Sequence, residues 1–209
     1  MWCAEAEQYL LANKLSGGCF DREEQLEPFF KAQLEACGVE YFDFYLLHNV
    51  NENCIDVYKD PKWGILDYFR EQKKNGRIKH LGFSTHGNLK LMEEFIDWCG
   101  GDMEFCQIQL NYLDWTLQNA EAKYEMLKSR GIPVIVMEPV RGGMLANPMS
   151  EEACRLLDEA AAEGSACRAA EGKANYAAYA LKFCNELPGI LITLSGMSTY
   201  EQLVDNINT

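Results

Sequence analysis

Basic clusters, closely spaced cysteine pairs, long apolar runs and a leader-like start are all missing from this 209-residue sequence. Each absence removes a class of function. The 19 lysines and arginines are outnumbered by 32 aspartates and glutamates, for a formal net charge of −13, and they form no block. A polyanionic surface repels phosphodiester backbones and anionic lipid, so neither nucleic acid nor a membrane surface is an expected partner. A small phosphorylated ligand stays open, because helix N-termini hold phosphate locally against an unfavourable global field. No apolar run approaches the roughly 20 residues needed to span a bilayer. The opening residues Met-Trp-Cys-Ala-Glu-Ala-Glu lack a basic n-region and an apolar h-region, so no secretory leader is expected and a cytoplasmic location is.

Cysteine is plentiful, but its spacing is uninformative for metal. The nine residues fall at Cys3, Cys19, Cys37, Cys54, Cys99, Cys106, Cys154, Cys167 and Cys184, with no pair separated by only two residues. Zinc-ribbon and iron–sulfur spacings are therefore absent, and reduced thiols in apolar patterns are expected.

What is present is a cadence of strands and helices. With 48% hydrophobic and 24% charged residues, the composition is that of a globular chain, expected to form one domain over residues 1–209. Short, continuously apolar runs predict strands over Tyr9–Leu15, Phe42–Val50, His80–Ser84, Phe105–Asn111, Val134–Glu138 and Ile190–Ser195. Continuous rather than alternating hydrophobicity predicts burial on both faces, as in a parallel sheet covered by helices. Between the runs lie amphipathic stretches. Asp21 and Glu24 form a capping-box pair before Leu26, Phe29, Phe30 and Leu34, and Gly38 is placed to end that helix. Asp60-Pro61 is expected to cap a second helix ending at Gly76. Further helices are expected over Asn88–Gly100, about Leu117–Gly131, within Ser150–Gly172, over Asn175–Leu187 and from Thr199 to the end of the chain. This α/β alternation fits either an open doubly wound sheet or a closed barrel; six units are visible, whereas a complete barrel needs eight.

In both architectures reactive groups collect where strands hand over to loops. Those positions hold Lys14, His48, Ser84-Thr85-His86, Gln107 with Asn111, Glu138 and Ser195, an unusually polar set for the tails of apolar strands. Taken alone, Lys14 fits a lysine that snorkels to solvent better than a functional group, and His48 fits an imidazole satisfied by a backbone carbonyl and a functional group equally.

The motifs around these residues resemble the aldo/keto reductases, in the style of a bacterial branch. Tyr41–His48 (Tyr-Phe-Asp-Phe-Tyr-Leu-Leu-His) is similar to the family's fourth strand, and Leu10–Leu15 to its third. Ile78–Gly87 resembles the fifth strand and Cys106–Tyr112 the sixth. Met137–Gly143 and Leu194–Ser198 resemble the seventh and eighth. The resemblance implies strands 3–8 of a partial TIM (β/α)8 barrel that reduces an aldehyde or ketone with NADPH or NADH. It implies Lys14 as the lysine that lowers a catalytic tyrosine's pKa, and His48 as the histidine that orients the carbonyl. Ser84, Thr85 and Gln107 would hold the nicotinamide carboxamide, with Met137 where many members stack an aromatic. Glu138, Pro139, Val140, Arg141, Gly142 and Gly143 would follow the pyrophosphate. Ser195, Gly196, Met197, Ser198, Gln202, Asp205 and Asn206 would meet the adenosine side. No metal is implied.

Two departures stand out. The family's Asp-Thr-Ala…Tyr-Gly pattern, which carries the catalytic Asp and Tyr, has no counterpart before Lys14. Loss of a general acid costs about 10²–10⁴ in rate, so turnover by this chain alone is expected to be impaired. No Lys or Arg falls in 196–202 to hold a 2′-phosphate, which leaves NADPH and NADH both open. Without the first two units, exposed sheet edges favour self-association. Two other classes fit parts of the pattern: a nucleotide-binding or interaction subunit without activity, and a metal-dependent barrel hydrolase using His48, His86 and Glu138.

Overall fold

Residues 9–16, 25–163, 167 and 174–209 are described by the structure, a computed structural model of the chain. Among them are six strands: β1 (Ala12–Ser16), β2 (Phe42–Val50), β3 (Ile78–Thr85), β4 (Cys106–Gln109), β5 (Val134–Met137) and β6 (Ile190–Thr193). The strands follow one another in sheet order, and the pairs β1–β2, β2–β3 and β5–β6 run parallel. The α/β cadence expected from the apolar runs is thus present, strand for strand.

The helices are α1 (Leu26–Cys37), α2 (Ile55–Lys59), α3 (Ile65–Lys74), α4 (Leu89–Cys99), α5 (Asp114–Leu117), α6 (Ala120–Ser129), α7 (Glu151–Ala162), α8 (Tyr176–Asn185) and α9 (Tyr200–Ile207). Several boundaries follow sequence punctuation directly. Asn88, Ser150, Asn175 and Thr199 each accept a backbone N–H as N-caps, and Thr199 with Gln202 completes a capping box. Gly38 ends α1 at φ 66°, where a side chain would be strained. The chain divides into two compact units: Met1–Gln107 with Ser129–Ile132, and Ile108–Lys128 with Pro133–Thr209.

Other expectations are corrected. Asp60-Pro61 does not cap α3; Asp60 instead accepts from the Lys62 N–H in a turn, and the helix starts after Gly64, itself left-handed at φ 56°. The first strand is shifted to Ala12–Ser16, with Tyr9 and Leu10 exposed before it. The short α2 has too few residues to show a helical period, and no expectation covered it. The last helix ends at Ile207 and is capped at Asn208. The Asp21–Glu24 pair lies outside the described residues, as do Cys3 and Cys19. Among the described cysteines, burial pushes the Cys99 and Cys184 thiols up to about 12, so both stay protonated and inert.

In the first unit, one sheet face packs on the helices. Phe30 of α1 meets Phe42, Tyr45, Tyr68 and Phe69 edge-on, and the Tyr45 hydroxyl donates to Gln33 at 2.7 Å. Counting from Tyr45, alternation sends Leu46 and His48, with Lys14 and Ser16 beside them in register, to the face opposite the Tyr45 ring. A side chain at Gly82 would enter the Phe105 ring, with contacts of 2.6 Å, so glycine there is a packing requirement.

Candidate functional site

The first unit gathers four of the predicted residues at the C-terminal ends of β1–β3. In the β1–β2 register Lys14 lies opposite Leu46 and Ser16 opposite His48. Lysine 14 and histidine 48 therefore share a face of adjacent strands, two residues apart in register. Lys14 is exposed and His48 partly buried. Burial, then the positive charges of Lys14 and His86, lower the His48 pKa below the ordinary histidine value, so the ring is neutral near pH 7. Ser16 Oγ lies 3.1 Å from His48 Nδ1. When Nδ1 accepts that bond, the proton sits on Nε2, the tautomer that can donate to a carbonyl oxygen. The Tyr58 hydroxyl donates to the His48 carbonyl oxygen at 2.7 Å and fixes the backbone behind the ring.

Ser84 and Thr85 are both buried, 2% and 1% exposed, yet they are engaged differently. Ser84 Oγ accepts from the Asn49 N–H at 2.8 Å, supporting Asn49 in a left-handed conformation at φ 57° and keeping its own hydroxyl proton to donate. Thr85 Oγ1 donates to the Val50 carbonyl at 2.6 Å and accepts from the Gly87 N–H at 2.9 Å. Its hydroxyl thus braces a turn at both ends. Gln107 is half-buried.

The second unit holds a cavity of about 520 Å³. One wall is the loop after β5, with Met137, Glu138, Pro139, Val140, Gly142 and Gly143; the other is 194–198 with Gln202, Asp205 and Asn206. Asn206 Nδ2 donates to Ser195 Oγ at 2.8 Å, and Gln202 Oε1 accepts from the Ser198 and Thr199 N–H groups. Arg141 is the one predicted residue of this set absent from the wall. Its guanidinium turns away, with Nε 3.5 Å from Asp114 Oδ2. Gly142 and Gly143 have φ of 61° and 90°, and a Cβ on Gly143 would meet nothing within 4 Å. At these two positions the backbone is open to the cavity, which suits an extended polar ligand such as a dinucleotide.

Sequence reasoning missed Ser16, Tyr58 and Asp114. Ser16 had a signal, being two residues from Lys14 on one strand and so on its face. Among the described residues no group of three or more His, Cys, Asp or Glu could hold a metal ion, so the hydrolase alternative finds no ligand set there. No described helix is long and apolar enough to cross a membrane.

The profile described as the aldo/keto reductase family matches residues 3–209. The chain belongs to this family. Solved aldo/keto reductases have a similar fold. The holo form of AKR11C1 from Bacillus halodurans shares 20% identity over 96% of this chain and 67% of its own, with a TM-score of 0.71. The thermostable reductase Tm1743, in complex with the inhibitor epalrestat, shares 21% over 98% of this chain and 66% of its own, at 0.73. A reductase from Brucella melitensis shares 20%, covering 98% and 68%, at 0.68. No match was found among curated proteins. The fold of this aldo/keto reductase chain is α/β, a partial (β/α)8 barrel, and it spans about two thirds of the length of these structures.

Proposed function

We propose that this chain carries the NAD(P)H-dependent carbonyl reductase activity of its family, impaired as it stands because the Asp and Tyr motif is absent from its sequence. The reading rests above all on the register that puts Lys14 and His48 on one face of neighbouring strands. Bound nicotinamide would supply the hydride. Neutral His48, held by Ser16, offers an N–H to the carbonyl oxygen and so favours the charge that develops there. The ammonium of Lys14 is suited to lowering the pKa of a neighbouring phenol, which at an unperturbed ~10 is too weak an acid near neutrality. In the first unit, Ser84 is assigned to the carboxamide with Gln107, and Thr85 braces the turn beside it. In the second, Met137, Glu138, Pro139, Val140, Gly142 and Gly143, with 195–198, Gln202, Asp205 and Asn206, are assigned to the remainder of the nucleotide. NADPH and NADH are both candidates.

The test is direct. Purified chain is titrated with NADPH and with NADH by nicotinamide fluorescence, then mixed with aldehydes and ketones. Binding with slow, carbonyl-dependent oxidation is the expected result, with faster turnover when a segment carrying the family's Asp and Tyr motif is joined ahead of it. Binding without any oxidation, even with that segment joined, would make it a nucleotide-binding subunit. A cytoplasmic location and self-association through the β1 and β6 edges belong to the same proposal; light scattering checks the second.

A further inference from the structure

The loop after β5 contains two non-glycine residues in the left-handed region, Glu138 at φ 58° and Arg141 at φ 49°. Such backbone is costly and persists only where its surroundings over-determine it. What over-determines it here is a wholly buried carboxylate. Asp114, 0% exposed, accepts at Oδ2 from Gln109 Nε2 and from Asn111 Nδ2, both at 2.7 Å. Asn111 Nδ2 also donates to the Glu138 carbonyl at 2.9 Å, and Asn111 Oδ1 accepts from the Asp114 N–H at 2.7 Å. Arg141 Nε stands 3.5 Å from Oδ2. Both strained residues are thus tied to one carboxylate, Glu138 through Asn111 and Arg141 directly. The second oxygen, Oδ1, has no hydrogen-bond partner among the described residues. A buried carboxylate half satisfied in this way needs a counter-charge, and Arg141 supplies it.

We propose that Asp114 is a positioning residue: through Asn111 and Arg141 it holds 138–143 in the shape that walls the cavity, and so sets nucleotide affinity without touching the nucleotide. The second half of this statement rests on the nucleotide reading above; the first half does not. Arg141 is then a lock rather than a ligand. Its side chain faces Asp114 and the Met144 sulfur, 3.8 Å from Nη1, while its neighbours line the cavity.

Two readouts on the whole chain test this, using Asp114→Ala, Asp114→Asn, Arg141→Ala and the double variant Asp114→Ala/Arg141→Ala. The first is amide hydrogen exchange without ligand. The Arg141, Gly143, Met144 and Leu145 N–H groups are all bonded within the loop, so its loosening is visible. Exchange over 138–146 is expected to rise at least about tenfold in Asp114→Ala, while that of 78–85 stays unchanged. The second is NADPH affinity with the KM-against-kcat split. KM for the nucleotide is expected to rise about tenfold with kcat at saturation within about threefold, and the double variant to bind no more weakly than Asp114→Ala. Should Asp114→Ala fail to fold, Asp114→Asn gives the same directions at smaller size. Unchanged exchange overturns the anchor. Faster exchange with unchanged NADPH affinity overturns the link to the nucleotide. Additive losses in the double variant make Arg141 a ligand and overturn its role as a lock. A wild-type chain that binds neither NADPH nor NADH refutes the proposed function, and the exchange result still decides the anchor.

Discussion

The C-terminal end of β2 and the turn after β5 solve one problem in two ways. Each holds a non-glycine residue in the left-handed region, Asn49 at φ 57° where the β2 register is irregular and Glu138 at φ 58° just past β5. In β2 the residue is asparagine, which tolerates that conformation, and a neutral hydroxyl is enough: Ser84 Oγ accepts its N–H. After β5 the residues are glutamate and arginine, which do not tolerate it well, and a buried carboxylate with two amide side chains holds them. The bracing scales with the strain of the residue braced. Where sequence meets a backbone demand with a permissive residue, the support can be a single hydrogen bond; where it does not, a charged network is needed.

That contrast can be broken by mutation. Asp114→Ala, which leaves Arg141 without its partner, is expected to lower unfolding free energy by roughly 3 kcal/mol in urea titration, the scale of a broken buried pair. Ser84→Ala, which strands the Asn49 N–H, is expected to cost about 1–2 kcal/mol by the same measurement. Equal losses would mean that the two braces do equivalent work. Smaller still is the effect of the strained residues themselves. Glu138→Asn should stabilise by up to about 1 kcal/mol, whereas Asn49→Gly should stay within about 0.5 kcal/mol. The finest probe leaves backbone and reads charge. Lys14→Met is expected to raise the His48 titration midpoint followed by NMR, with burial still holding it below the ordinary value. The sign for stability follows from the depressed pKa. Between the folded and unfolded His48 values the unfolded chain binds more protons, so stability falls as pH drops below the usual histidine range. His48→Asn should flatten that slope.

Much of the scaffold was readable in one dimension, because burying both sheet faces requires continuous apolar runs, and all six runs became strands. Caps were readable for the same local reason: Asn88, Ser150, Asn175 and Thr199 bond backbone within three residues. Asp60-Pro61 misled because a good cap signal is also a good turn signal, and Gly64 took the helix start. In the first strand the run of apolar letters began before the pairing did, since Tyr9 and Leu10 precede the residues that bond to β2. The candidate site was legible as residue types at strand ends, but not as contacts. Arg141, expected with its neighbours along a pyrophosphate, has its guanidinium beside a carboxylate, and Thr85, expected at the carboxamide, has its hydroxyl bonded at both ends of a turn.

Local sequence therefore determined the order of strands and helices, most helix starts, and the positions where polar groups emerge from apolar strands. Tertiary structure alone decided which of those groups meet. Ser16 reaches His48 because parallel register aligns them 32 residues apart, and Glu138 is held by Asn111 across 27 residues of chain. Asp114 lies just before the helix expected from about Leu117 and drew no expectation, yet it is fully buried. Hydrophobic period and capping are short-range properties, whereas burial of a charge and choice of its partner depend on segments that become neighbours only on folding.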